Sequence, residues 1–266
     1  MYTNDLLVGE VAFISGGTSG INLGVAKVLS CYGAKVCILG RDADKANSAA
    51  QEIRDLTGGQ VLAVTGDVRD YDAVEMALRQ AKESLGELSI VIAGAAGNFF
   101  APAVSINPKG FKAVVDIDLL GTYHVFRAGY DYCRQPGSSF IAITAPQAVN
   151  PTPLQAHVCA AKAGVNALLK TLAMEWGAAG IRVNGICPGL IDETEGLKKL
   201  LAVAPDQLEK MLEQLPLRQF GRVGDIGNAA VFLSSAAGSY ATGTVIDIDG
   251  GYQLGSAVGD FLTPAR

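Results

Sequence analysis

Ile14-Ser15-Gly16-Gly17-Thr18-Ser19-Gly20-Ile21-Asn22-Leu23-Gly24 follows an apolar run, Val11 to Ile14, and opens a helical pattern through Ala26, Val28 and Leu29. A strand that turns through glycines into a helix aims backbone N–H groups and the positive helix end at one point, and that point suits a phosphate. Gly16 permits the tight turn, and Gly20 leaves no side chain where a pyrophosphate would lie. A glycine cluster alone is a weak signal; the strand before it and the helix after it supply the required context. The stretch is therefore expected to hold a dinucleotide through Gly16, Thr18, Ser19, Gly20 and Ile21.

On either side of this turn, apolar strand-like runs alternate with helical patterns almost to the end. The runs are Val11–Ser15, Lys35–Leu39, Gln60–Val64, Leu88–Ala93, Ser138–Thr144, Ile181–Ile186 and Thr244–Asp247, with helices expected near 21–32, 43–56, 71–85, 110–133, 157–178 and 225–236. This rhythm predicts an α/β, Rossmann-like, doubly wound domain over 1–266: a mostly parallel seven-stranded sheet with helices on both faces. The segment 190–222 breaks the rhythm, with helical stretches Leu197–Val203 and Gln207–Leu215. It is read as a substrate lid over the carboxyl edge of the sheet, against the alternative of a packed surface excursion.

Composition agrees. The chain has 266 residues, is 49% hydrophobic and has 32 glycines, which suits a parallel sheet buried on both faces. A net charge of −5 without a basic block argues against nucleic acid. Five scattered cysteines, no CxxC pair and two histidines suit free thiols in a reducing compartment and argue against a structural zinc site, so no metal is expected. No apolar run approaches the roughly 20 residues that span a bilayer, so no membrane partner is expected. No signal peptide is seen, and the chain ends Thr263-Pro264-Ala265-Arg266 rather than in a Ser-Lys-Leu type tail, so the cytoplasm is the expected compartment.

After the second strand the chain reads Leu39-Gly40-Arg41-Asp42. A carboxylate at that strand tip would bond the ribose hydroxyls of NAD; a guanidinium suits a 2′-phosphate. With Gly40 at the tip and Arg41 next, NADPH is the expected cofactor, the alternative being a solvated Arg41. Asp42 could serve the ribose or cap the next helix. Asp67, in Gly66-Asp67-Val68, either bonds an adenine edge or caps the helix near 71–85.

Several motifs together resemble the short-chain dehydrogenase/reductase family over nearly the whole chain. Ser15-Gly16-Gly17-Thr18-Ser19-Gly20-Ile21-Asn22 resembles its TGxxxGxG loop, with Asn22 for the last glycine. Ala93-Gly94-Ala95-Ala96-Gly97 resembles its NNAG segment, Ile181-Arg182-Val183-Asn184 through Pro188-Gly189 its IRVNxxxPG element, and Ala241-Thr242-Gly243 through Asp249-Gly250-Gly251 its closing strand and turn. The resemblance implies a nicotinamide cofactor, a homo-oligomer (tetramer or dimer), and cofactor contacts at Val68, Ala93, Gly94, Pro188, Gly189 and Ile191.

The departures from that family decide the chemistry. Most members use a Tyr-xxx-Lys pair with a Ser and an Asn, the tyrosine handing a proton to a carbonyl oxygen. Lys162 matches the lysine, but Val158 stands at the tyrosine position, Ala145 at the serine position and Asp118 at the asparagine position. Valine cannot donate a proton. Three readings stay open: a non-catalytic dinucleotide-binding protein; an alcohol or ketone enzyme whose acid is Tyr123, Tyr130 or Tyr132; or reduction of a carbon–carbon double bond conjugated to a thioester. In the last, charge collects on the thioester oxygen and a water delivers the proton to carbon.

The details resemble the 2,4-dienoyl-CoA reductases of the peroxisomal type and related enoyl-CoA reductases. Ala95-Ala96-Gly97-Asn98-Phe99, Val115-Asp116-Ile117-Asp118 before Gly121-Thr122, His157 before Lys162, Glu175-Trp176-Gly177 and Thr194-Glu195-Gly196-Leu197 carry this resemblance. It implies an acyl-CoA substrate, work in fatty-acid metabolism, an Asp118 that holds the proton-delivering water, and a Lys162 that bonds the nicotinamide ribose and orients that water. Asn98 could bond the thioester oxygen, with Phe99 and Phe100 as apolar wall. His157 could donate near the thioester or simply pack, and Thr144 could partly replace the missing hydroxyl. Arg218, Arg222, Lys198 and Lys199 could face the CoA phosphates or simply be solvated.

Overall fold

Side chains along a strand alternate between the two faces of a sheet, and here both faces are buried. Val11, Phe13, Cys37, Leu39, Val91 and Phe140 pack into one core; Ala12, Ile14, Val36, Ile38, Ile92 and Ile141 pack into the other. This is why the strands read as continuous apolar runs rather than alternating ones. The computed structural model describes residues 5–192, 194, 197, 198 and 208–255. Lys199, most of the expected helix Leu197–Val203, Glu195, Gly196 and the stretch Thr263–Arg266 lie outside the described residues.

Among the described residues, seven parallel strands form one sheet in the order β3-β2-β1-β4-β5-β6-β7. They are β1 Val11–Ser15, β2 Lys35–Gly40, β3 Val61–Thr65, β4 Ile90–Ala93, β5 Ser139–Ile143, β6 Arg182–Pro188 and β7 Val245–Ile248. The helices are α1 Gly20–Cys31, α2 Ala43–Thr57, α3 Tyr71–Leu85, α4 Pro108–Val115, α5 Gly121–Tyr132, α6 Ala156–Trp176, α7 Leu208–Gln214 and α8 Val223–Ser234. Buried residues of α3, α5 and α6 cover one face (Leu78, Phe126, Leu169), and those of α1, α2 and α8 the other (Leu29, Ile53, Ile226). The winding reverses between β1 and β4, so a crevice opens beyond the carboxyl ends of these strands.

Two features differ from expectation. The helix expected over 110–133 is broken by a π-helical turn, Asp116–Leu120, between α4 and α5. The Thr122 hydroxyl donates to the Asp118 carbonyl at 2.6 Å there. Such single wide turns are frequent at functional sites, and this one carries Asp118. Asp67 does not cap α3: Asp70 does, accepting from the amides of Asp72 and Ala73. Asp42 caps α2, accepting from the Lys45 amide. The ends of the 190–222 excursion are tied together, Asp192 N–H donating to Gly221 O at 2.8 Å and Gly221 N–H to Leu190 O at 3.0 Å.

Candidate active site

The carboxyl ends of β1, β2, β4, β5 and β6 border a cavity of about 570 Å³. Its floor at β1 is the glycine turn. Gly16 has φ +70°, and a Cβ there would stand 2.8 Å from the Ala95 backbone, so only glycine fits. At Gly20 (φ +57°) a Cβ would meet nothing within 4 Å, which leaves open space over the start of α1. Whereas α2 and α3 are capped by aspartates, Ser19 makes no side-chain cap bond and the first turn of α1 has no acidic residue. The α1 N-terminus therefore keeps its positive end for a ligand, which fits the pyrophosphate of a dinucleotide. Gly16, Thr18, Ser19, Gly20, Ile21, Val68, Gly94, Pro188, Gly189 and Ile191 all line the cavity; Ala93 does not, because its side chain packs in the core below β4.

At the β2 tip the absence of a carboxylate has a steric cause. A Cβ on Gly40 would come 2.4 Å from Thr18 Cγ2, so the loop and the strand tip are fitted to each other. Arg41 and Lys45 line the same end of the cavity, a cationic pair of the kind that holds phosphate. Asp67 lines it too, but its carboxylate is engaged by Arg69, whose Nη2 lies 2.5 Å from Oδ2. The Arg69 hydrogen bond holds the Asp67 carboxyl below the usual carboxylate range.

At the other end, Asp118 and Lys162 meet. The Lys162 Nζ lies 3.4 Å from Asp118 Oδ2 and donates to the Ile143 carbonyl at 2.9 Å; both side chains are buried. The Gly97 amide donates to Asp118 Oδ1 at 2.7 Å. Val158 and Ala145 face the cavity beside them, so neither hydroxyl of the usual set is present there. Thr144 lines the cavity, yet its hydroxyl donates to Asn166 Oδ1 at 2.7 Å and is not a spare donor.

Asn98 and Phe100 line the cavity; Phe99 and His157 do not. The Phe99 ring instead lies against His157, centroids 4.1 Å apart, and His157 is fully buried. The three tyrosines considered as substitute acids also stand elsewhere. The Tyr132 hydroxyl donates to Glu75, Tyr130 packs on Trp176, and Tyr123 packs near His124. Of the excursion, Leu190, Ile191, Thr194 and Leu197 reach the cavity, which fits a cover over the carboxyl edge. Arg218 and Arg222 are exposed outside it. Sequence reasoning missed Tyr252 and Gln155, which also line the cavity. Tyr252 carried no motif signal, because it reaches the site only through the turn after β7.

A family model described as enoyl-(acyl carrier protein) reductase matches residues 16–253. A peroxisomal 2,4-dienoyl-CoA reductase of Saccharomyces cerevisiae, (3E)-enoyl-CoA-producing, is 42% identical over 98% of this chain and 90% of its own length. A peroxisomal 2,4-dienoyl-CoA reductase of Danio rerio is 37% identical over 97% of this chain and 86% of its own length. Among solved structures, a short chain dehydrogenase from Bacillus anthracis superposes with TM-score 0.81 at 35% identity, covering 91% of this chain and 95% of that one. A gluconate 5-dehydrogenase from Burkholderia cenocepacia, in complex with NADP and tartrate, gives TM-score 0.85 at 28% identity, covering 93% and 96%. With the cradle, the sheet order and the lysine all in place, the chain belongs to the enoyl-(acyl carrier protein) reductase family of short-chain dehydrogenases/reductases.

Proposed function

We propose that this chain is an NADPH-dependent reductase of 2,4-dienoyl-CoA thioesters. The observation that carries the reading is the buried Asp118–Lys162 pair beside Val158: a charged pair stands where the family's usual acid is absent. The names of the yeast and zebrafish relatives support the substrate class. NADPH rather than NADH is supported by Arg41 and Lys45 at the β2 end and by the steric block at Gly40.

Bound NADPH supplies the hydride, received at the far end of the conjugated system. The chain's own residues manage the resulting charge and the proton. Negative charge spreads to the thioester oxygen, where a preorganised donor is worth most; Asn98 is the candidate donor. Asp118 holds a water, and Lys162 orients it and bonds the nicotinamide ribose. That water protonates the carbon next to the thioester, and the remaining double bond then lies between the third and fourth carbons. The outcome agrees with the product in the yeast relative's name.

We also propose a homo-oligomer, tetramer or dimer, as the family resemblance implies; Met174, Tyr240 and Leu254 are exposed apolar side chains that an interface would cover. Among the described residues no helix is long and apolar enough to cross a membrane. The peroxisomal names of the relatives set an organelle against the cytoplasmic expectation, and imaging of the tagged chain in its own cells decides between them.

The test is NADPH oxidation with a short 2,4-dienoyl-CoA and with acetoacetyl-CoA. Turnover of the first alone is expected. The reverse pattern defeats the substrate class, and silence with both despite tight NADPH binding favours a non-catalytic dinucleotide-binding protein.

A further inference from the structure

His157, in the first turn of α6, is fully buried, and neither ring nitrogen has a hydrogen-bond partner. A buried polar group with no protein group to bond costs stability, which marks these ring nitrogens as a place that can receive a ligand atom. Two aromatic rings stand near it. Phe99 lies with its centroid 4.1 Å from the imidazole, and Phe111 stands 6.5 Å away. Phe99 is itself 38% exposed, so its far side faces out.

The chain around Phe99 is pinned at two points, Gly97 N–H on Asp118 Oδ1 and Ala101 N–H on Leu154 O. Asn98 and Phe100 on either side of Phe99, and Gln155 and Val158 on either side of His157, line the cavity, so the Phe99–His157 contact lies directly behind its wall. The ring rests over a bare backbone at Gly110, where a Cβ would come 3.3 Å from Phe99 Cζ. Burial pushes the His157 pKa below its usual value, with Asp118 opposing, so the ring is a neutral one-proton donor at neutral pH.

We propose that Phe99 is a displaceable cover, that the acyl chain of the substrate moves it, and that the uncovered His157 N–H donates to the thioester oxygen. The inference rests on the acyl-CoA reading of the same site and names a second donor in it.

The chain has two histidines, so histidine-labelled protein gives two imidazole signals, and His124, bonded to the Val68 carbonyl, serves as the control. In the NADPH-bound protein, hexanoyl-CoA is expected to move the His157 signal and leave His124 in place. Phe99→Ala should move it without acyl-CoA. His157→Leu should lower kcat on a dienoyl-CoA by roughly 10²-fold, the effect of losing one oxyanion donor. His157→Gln, which keeps a donor, should recover to within about tenfold of the wild type, and neither change should lower Tm or weaken NADPH binding. An unmoved His157 signal at saturating hexanoyl-CoA, or an undiminished kcat in His157→Leu, overturns the proposal. If the wild-type protein reduces no dienoyl-CoA, the substrate assignment fails alone; the labelled-histidine comparison still decides for or against the cover.

Discussion

Lys162 Nζ and Asp118 Oδ2 stand 3.4 Å apart although they arrive from different helices, one from the interior of α6 and the other from the π-helical turn ahead of α5. Each partner is further held, the carboxylate by the Gly97 amide and the ammonium by the Ile143 carbonyl. An ammonium has three protons; one is placed in the hydrogen bond to the Ile143 carbonyl, while the Asp118 carboxylate at 3.4 Å is an ion-pair contact. That leaves the ammonium with protons for a ligand.

Asp118→Ala is expected to remove turnover by about 10²-fold or more, the usual worth of a positioned proton-handling group. NADPH binding should survive, since the α1 cradle is untouched. Removing one member of a buried pair strands the other, so a stability loss of about 3–5 kcal/mol is expected by denaturant titration. Asp118→Asn, which keeps an acceptor for the Gly97 amide, should lose less stability and as much rate. Undiminished steady-state turnover in either variant removes Asp118 from the chemistry.

Arg41→Ala should weaken NADPH far more than NADH. A charged hydrogen bond to phosphate is worth about 1.5–3 kcal/mol, or roughly 10- to 150-fold in Kd. Fluorescence titration with both cofactors reads the difference, and equal losses refute the 2′-phosphate assignment.

Gly40→Asp alone should not convert the protein to NADH use. The new Cβ would stand 2.4 Å from Thr18 Cγ2, so the Thr18 side chain, which lines the cofactor cavity, must shift and both cofactors should bind worse. Adding Thr18→Gly relieves the contact, and only the double variant should prefer NADH. A clean switch by Gly40→Asp alone, in the same titration, contradicts the steric account.

The sheet and the cradle were legible because their signals are local. Apolar runs mark strands buried on both faces, and the Gly16–Gly20 spacing belongs to one turn. The Asp118–Lys162 pair was legible only through motif positions, since its members stand 44 positions apart in the chain. The π-helical turn at Asp116–Leu120 left no trace in the pattern, because one extra residue in a turn barely disturbs a period of 3.6. Asp67 was ambiguous between a ligand and a cap because Asp70, the actual cap, stands three residues on. The Thr144 hydroxyl looked free in the sequence, where nothing shows that Asn166 lies one turn beyond Lys162 and takes it. The sequence leaves His157 open between a donor and a packed residue, and nothing in its neighbours in sequence indicates that Phe99 lies across it.

Acid should loosen the fold through His157. Burial holds its folded pKa below the ordinary 6.5, so below that pH the unfolded chain binds the extra proton first. Stability is then full above about 6.5 and falls as pH drops below it. His157→Leu should flatten this part of the profile. It also removes two unbonded nitrogens, so Tm at pH 7 should hold or rise by an amount matching about 1–3 kcal/mol. A wild-type Tm that is level between pH 7 and 5.5, or a variant that melts well below it, contradicts the description of this imidazole.

Tyr252 offers the sharpest challenge to a tyrosine-free mechanism, since it is the one tyrosine among the described residues that borders the cavity. It lies at the rim, 42% exposed, in the turn after β7, whereas the placed contacts of Lys162 run to Ile143 and Asp118. A rim phenol in contact with water is poorly placed to give up its proton in a closed site. Tyr252→Phe should therefore leave kcat on a dienoyl-CoA within about threefold, well short of the roughly 10²-fold loss that marks a general acid. The pH profile of kcat should also keep its shape. A hundredfold loss, with the alkaline limb of the profile removed, would transfer the proton-donating role from the Asp118-held water to this phenol.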